Sequence, residues 1–167
     1  QIKYIPLKAN GAQSIIYDIV SILHAMIYCD VMLILGVSGC IFLPFVKIFS
    51  RKKIVVNIDG LEWRRAKWAG WAKRFLKFSE SVAVRFADEI VTDNAAIQNY
   101  VMDEYGVESH LIEYGADHVK KVGILDQFAE KYHFLRENYA FKVCRIEPEN
   151  NIHLVLEAFS RFGELPL

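Results

Sequence analysis

The chain has 167 residues, 53% hydrophobic and 24% charged, a composition that suits one globular core with part of a second. Twenty basic and twenty acidic residues cancel, so no global field draws in nucleic acid and any electrostatic function must come from local clustering. Cys29, Cys40 and Cys144 are far apart, odd in number and lack C-x-x-C spacing, which predicts buried, reduced thiols of a cytosolic protein over a zinc site.

Gln1-Ile-Lys-Tyr is strand-like and has no signal-peptide pattern, and without an initiator Met the chain is expected to be a piece of a longer protein. A strand over 3–6, a loop at Asn10-Gly11 and a helix over 12–27 are predicted first. The run VMLILGVSGCIFLPFV holds 16 residues without a charge, short of the roughly 20 that span a bilayer. Gly36, Gly39 and Pro44 divide it into a strand over 31–35, a loop over 36–39 and a short helix to residue 49. A strand over 54–58 leads through Asp59-Gly60 into a long helix over 63–86. A strand over 89–92, a helix over 94–105, a turn at Gly106 and a strand over 110–113 follow. Strands separated by helices need crossover connections, which predicts an α/β fold with a doubly wound parallel sheet, a Rossmann-like domain. The apolar runs VMLIL and IVVNI fit strands covered on both faces.

Tyr114-Gly115-Ala116-Asp117 marks a boundary, giving a first domain over 1–116. A linker with a helix over 125–136 fills 117–138. A second unit over 139–167 then opens with a strand over 139–144, a turn Arg145-Ile-Glu-Pro-Glu-Asn-Asn and a helix over 152–162. One strand and one helix cannot cover a sheet, so this unit is expected to be the truncated start of a second Rossmann-like domain.

Ligands of open parallel sheets bind at the carboxyl ends of the strands, and three segments fall there. Gly36-Val-Ser-Gly39 suits close approach of backbone to a ligand, or a plain turn. Asp59-Gly60-Leu61-Glu62 sets two carboxylates at a helix start, suited to capping or to acid–base chemistry. Arg145, directly after a strand, suits bidentate phosphate binding or an ion pair with Glu147 or Glu149.

Arg64, Arg65, Lys67, Lys73, Arg74 and Lys77 fall within fourteen residues that hold no acid. At about 100° per residue, Trp68, Trp71, Ala72, Phe75, Phe78 and Val82 form one stripe, expected to be mostly core. Lys67, Lys73, Arg74 and Lys77 take the other face, which fits an anionic membrane surface or a phosphate-rich ligand, or a plain solvated face. No second basic element accompanies them, so nucleic acid is not an expected partner.

Four blocks in succession, VNIDGLEWRRAKW, FADEIVTDNAAIQNY, LIEYGAD and VCRIEPENNIHLVLEAF, resemble the bacterial glycosyltransferase family 4 enzymes, and among them the capsule, O-antigen and cell-wall rhamnosyltransferase branch. The resemblance covers nearly the whole chain, and DGLEWRRAKW is its most specific part. It implies the GT-B fold, two Rossmann-like domains facing across a cleft. It further implies transfer of a sugar from a nucleotide sugar with retained configuration, without metal or cofactor. By the resemblance Arg145 serves the donor diphosphate. Asn150 stands where the family often has a second cation, a lysine, and Cys144 replaces a small glycine. Asp59 and Glu62 would serve catalysis, while Gly36, Ser38, Gly39 and Gly60 would line the acceptor cleft and Gly115 would close the first domain. The family's glycine-rich loop and its pair of donor-binding glutamates would lie outside residues 1–167, so the isolated chain is expected to be inactive. The parent is expected at the cytoplasmic inner face of the cell membrane as a peripheral protein. There it would transfer rhamnose from a nucleotide-rhamnose donor to a lipid-linked saccharide acceptor in cell-surface polysaccharide synthesis. The competing reading is a non-catalytic module binding a membrane surface or an anionic ligand through helix 63–86. A nucleotide-cofactor protein is disfavoured because no G-x-G-x-x-G follows a strand.

Overall fold

The computed structural model describes residues 3–7 and 13–162, except for the side chain of Glu149. The expected loop at Asn10-Gly11 and the first residue of helix 12–27 lie outside the described residues, as do Gln1 and Ile2. The chain divides into two compact units, Gln1–Tyr114 and Gly115–Leu167.

In the first unit α1 (Gln13–Tyr28), β1 (Val31–Leu35), α2 (Leu43–Phe49), β2 (Lys53–Ile58), α3 (Gly70–Phe86), β3 (Glu89–Thr92), α4 (Ala95–Tyr105) and β4 (His110–Leu111) alternate. The strands form one four-stranded sheet in the order β1-β2-β3-β4, parallel at every pairing. This is a Rossmann-like α/β arrangement, as the alternation of strands and helices predicts. The register sets Leu35 against Asn57 and Ile58 against Thr92, so the loops after β1, β2 and β3 leave the sheet at one end. Central β2 supplies the fully buried Ile54, Val56 and Ile58, which pack with Leu43 and Val46 of α2, Ala83 of α3 and Val101 of α4.

Several expected elements differ. Residues 3–7 form no strand, because Leu7 N–H closes a local turn on Ile5 O at 2.8 Å. Strand 110–113 ends at Leu111, although Ile112 N–H still donates to Thr92 O at 2.9 Å. VMLIL is not covered on both faces: β1 is an edge strand with Met32 buried and Val31, Leu33 and Leu35 exposed. Of the three cysteines only Cys40 is buried, while Cys29 is half-buried and Cys144 exposed.

The long helix begins at Gly70, not at residue 63. Glu62–Arg64 form a 3-10 turn, and Arg65 and Ala69 are extended, because the chain between them wraps around the Glu62 carboxylate. The buried face of α3 also differs from the expected stripe. Of that stripe Ala72 and Val82 are buried, together with Leu76, Ser79, Glu80, Ala83 and Val84, whereas Trp71 is 66% and Phe78 57% exposed. Ser79 and Glu80 find polar partners inside the fold, and this turns the helix away from its most apolar side.

The second unit holds α5 (Asp126–Lys131), a 3-10 turn at His133–Arg136 and α6 (Ile152–Phe162). The expected helix 125–136 breaks at Tyr132 (φ −126°, ψ 86°). Residues 139–144 are not a strand: they have no ladder partner, and Tyr139 instead packs edge-on against Phe134 with ring centres 5.3 Å apart. Among the described residues no helix is long and apolar enough to cross a membrane.

Candidate functional site

The loop after β1 is built by two neighbours. Gly36 adopts φ +96°, a conformation that L side chains rarely take, and its N–H donates to Asn57 O at 3.0 Å. Gly39 sits against α1: a Cβ there would lie 2.6 Å from Asp18 Cβ, so the glycine serves helix packing. Ser38 Oγ donates to Asp18 Oδ2. Desolvation raises the proton affinity of the Asp18 carboxyl, and the bond from Ser38 opposes that. On the other side buried Ser79 of α3 donates to Val37 O at 2.6 Å and accepts from Ile41 N–H at 3.0 Å. The loop is thus held from one side by Asp18 of α1 and from the other by Ser79 of α3.

The loop after β2 carries both expected carboxylates, and their environments differ. Asp59 leaves the sheet beside Asp93, since Ile58 and Thr92 are in register. Partial desolvation pushes its carboxyl above the ordinary range. A backbone hydrogen bond opposes this, and the charges of Asp93 and Glu62 add to it against the pull of Arg65. Glu62 goes the other way. Desolvation acts against its charge, but hydrogen bonds from Lys67, Trp68 and Arg65 outweigh it and lower the pKa. Lys67 Nζ stands 2.7 Å and Trp68 Nε1 3.1 Å from Oε1, and Arg65 Nη1 stands 3.2 Å from Oε2. Gly60 links the two carboxylates.

Beneath this loop is a cluster that sequence reasoning missed. Glu80 of α3 is fully buried, and its Oε1 accepts from Tyr100 and Tyr105 of α4, each at 2.5 Å. Lys77 Nζ stands 3.5 Å from Glu80 Oε1 and 2.8 Å from Glu104 Oε1, and donates to the Tyr100 hydroxyl. The same ammonium lies 5.0 Å from the Trp63 ring centre and 4.8 Å from those of Tyr100 and Tyr105. Burial acts to lower the Lys77 pKa, but Glu104, Tyr100 and Glu80 outweigh it and raise it. Trp63 thereby ties the turn at Glu62–Arg64 to α3 and α4. The signal was a lone glutamate three residues after Lys77 on a helix, with two tyrosines five apart on the next.

Two buried polar atoms stay unpartnered next to these loops, Asn57 Oδ1 and Trp63 Nε1. An amide inside the apolar run IVVNI was legible in the sequence. Among the described residues no three His, Cys, Asp or Glu side chains converge to hold a metal.

The basic residues expected to face a membrane are divided. Lys67 precedes the helix and is bound to Glu62, and half-buried Lys77 is paired with Glu80 and Glu104. Lys73 and Arg74 line a shallow groove with Phe78 and Ser81. In the second unit the exposed Arg145 pairs with Glu147 at 3.4 Å, and Asn150 Nδ2 donates to the Arg145 carbonyl at 2.6 Å. Lys142 Nζ donates to Asn150 O at 3.0 Å, so a second cation does lie by this turn.

A sequence model described as a domain of unknown function, DUF1972, matches residues 3–117. No curated protein matches the chain.

Proposed function

The chain belongs to the DUF1972 family, and we propose that it is part of a retaining, metal-independent glycosyltransferase whose acceptor side is the first unit. The reaction is transfer of a sugar, rhamnose from a nucleotide-rhamnose donor, to a lipid-linked saccharide acceptor at the inner face of the cell membrane. DUF1972 is a domain found in glycosyltransferase-associated proteins, which supports the reading, as does the resemblance of the four sequence blocks. The observation that carries it is the divergence of Asp59 and Glu62, whose surroundings drive their proton affinities apart at the carboxyl end of a parallel sheet.

In this reading Asp59, favoured as a proton acceptor, takes the proton of the acceptor hydroxyl. The hydroxyl oxygen forms the new glycosidic bond as the bond from sugar to diphosphate breaks. The leaving nucleoside diphosphate keeps the electron pair, a charge that cationic and hydrogen-bonding side chains must stabilise, and within the second unit Arg145 and Asn150 are the groups suited to binding a diphosphate. Glu62, held by three donors, is the positioning carboxylate that fixes the loop.

The test is mass-spectrometric detection of glycosylated lipid acceptor made by the natural protein containing this chain, with a panel of nucleotide sugars. Asp59→Asn is expected to lower turnover by about 10²–10⁴ without loss of folding. Wild-type turnover in that variant would remove Asp59 from the chemistry.

A further inference from the structure

Central β2 carries one amide in its apolar run, and that amide is unsatisfied. Asn57 is 9% exposed, and its backbone oxygen accepts from Gly36 N–H at 3.0 Å. Its side-chain Oδ1 is buried without a hydrogen-bond partner among the described residues. An unpaired amide oxygen in the interior is costly, so an asparagine here calls for a donor from outside the fold. Strand alternation separates it from the main core. Ile54, Val56 and Ile58 are fully buried on one face of the sheet, and Asn57 stands on the other. That other face is the open one. Leu35, in register with Asn57 on one side, is 73% exposed, and Val91, in register on the other, is half-buried. Leu35 also lines a cavity of ≈ 480 Å³ with Asp18, Gly36 and Gly39. Continued one residue past the strand, the alternation brings Asp59 to the side of Asn57, about 6.6 Å further along the chain.

We propose that Asn57 is a specificity-determining residue of the acceptor site, its amide hydrogen-bonding a second hydroxyl of the sugar whose reacting hydroxyl meets Asp59. Chemistry selects the ligand class. An ionised phosphate or carboxylate has no proton to give to Oδ1, and an apolar group has none either. A sugar hydroxyl both donates and accepts, so it satisfies the amide whichever of its atoms it meets. Two side chains on one face, one strand step apart, suit two hydroxyls of a single hexose ring. A buried polar group that only the substrate completes also discriminates strongly, because a sugar lacking the hydroxyl leaves it unpaired. This rests on the reading of the first unit as the acceptor side of a transferase, and adds to it the residue that selects the acceptor.

The natural protein containing this chain and its Asn57→Leu variant, nearly equal in side-chain volume, test it. The variant is expected to melt at or slightly above the wild-type temperature, because an apolar group replaces an unpaired amide. Isotope-labelled asparagine gives a readout without turnover. Methyl glycosides of glucose, galactose, mannose and N-acetylglucosamine, added without nucleotide sugar, should include one that shifts the Asn57 side-chain amide resonances, assigned by their absence from the variant. With the acceptor that is glycosylated, Asn57→Leu should raise KM about tenfold and leave kcat within about threefold. A monodeoxy acceptor lacking the contacted hydroxyl should cost wild type the same factor and the variant little. A melting temperature several degrees lower in the variant would show that protein groups satisfy the amide, and overturns the proposal. Transfer with the Asn57 resonances unmoved and KM within about twofold of wild type overturns it and leaves the transferase reading standing. Shifted Asn57 resonances without transfer to any acceptor do the reverse, and the absence of both overturns both.

Discussion

The hydroxyl of Ser79 donates to the carbonyl of Val37 and accepts from the amide of Ile41, so one buried side chain of α3 holds both ends of the loop that follows β1. Its removal leaves a carbonyl and an amide without their partner inside the protein. Ser79→Ala should therefore lower unfolding free energy by about 1–3 kcal/mol. Urea denaturation of wild type and variant measures it, and a change under about 0.3 kcal/mol would show that water replaces the hydroxyl.

Lys77 and Glu80 form the second support. Lys77→Met should leave the buried Glu80 carboxyl without its nearby ammonium, at a cost of about 3 kcal/mol. The double change Lys77→Met with Glu80→Gln should recover part of that loss. A thermodynamic cycle of the two variants decides it: additive losses would mean that the pair is not coupled.

Asp88 gives a stability change confined to low pH. Hydrogen bonding from Lys47, then the bond from Ile54 N–H and the charge of Lys47, outweigh desolvation and hold its pKa at about 2, below the ordinary value of 3.8. A depressed carboxyl stabilises the fold above its unfolded pKa and loses that contribution as pH falls through its folded pKa. The contribution, about 1 kcal/mol after allowance for solvent screening, should be complete above pH about 4 and gone near pH about 2. Denaturation curves of wild type and Asp88→Asn should differ at pH 6 and converge at low pH. A constant difference across that range would place the effect elsewhere.

The thiols should react in order of exposure. Burial, and next the charge of Asp18, push Cys40 up to about 12, and its Sγ donates to Gly36 O at 3.6 Å. Cys144 is exposed. A maleimide should therefore label Cys144 first and leave Cys40 unmodified until the chain unfolds, which peptide mapping shows directly.

For Asp59 and Glu62 the pH dependence of turnover separates the roles. Asp59 has its carboxyl raised, so the acid limb of the rate profile should lie above the ordinary carboxylate range and vanish in Asp59→Asn. Glu62→Gln should keep that limb while lowering the melting temperature, because the charge that gathers Arg65, Lys67 and Trp68 is lost. A limb unchanged in Asp59→Asn would assign the titration to another group.

Much of the frame was legible from local pattern. The alternation of apolar strands with helices over 31–105 predicts a parallel sheet, because crossovers of that length allow nothing else. Asp59 and Glu62 were legible as candidates because a carboxylate pair beside a glycine at a strand end is a local feature. The helix over 63–86 begins later than its pattern suggests, and of its apolar stripe Ala72 and Val82 are buried while Trp71 and Phe78 are exposed. Its first third is organised by Glu62, six residues from Trp68, and its buried face by Tyr100, Tyr105 and Val37, which are distant in sequence. The strand over 139–144 looks apolar enough locally, but a strand exists through a neighbour.

Local pattern was enough for the elements whose stabilising partners lie within a few residues: the helices, the apolar strands, the turns at Gly36 and Gly106. Tertiary structure alone decided which charges are available. Lys67 and Lys77 read as free cations beside Lys73 and Arg74; Glu80 stands three residues from Lys77 on the same helix, but only the fold brings Glu104 to Lys77 and turns Glu62 back onto Lys67. The reason is physical. Periodicity reports which side of a helix is apolar, but a charge is satisfied by whatever approaches within about 4 Å, and that is set by the packing of the whole chain.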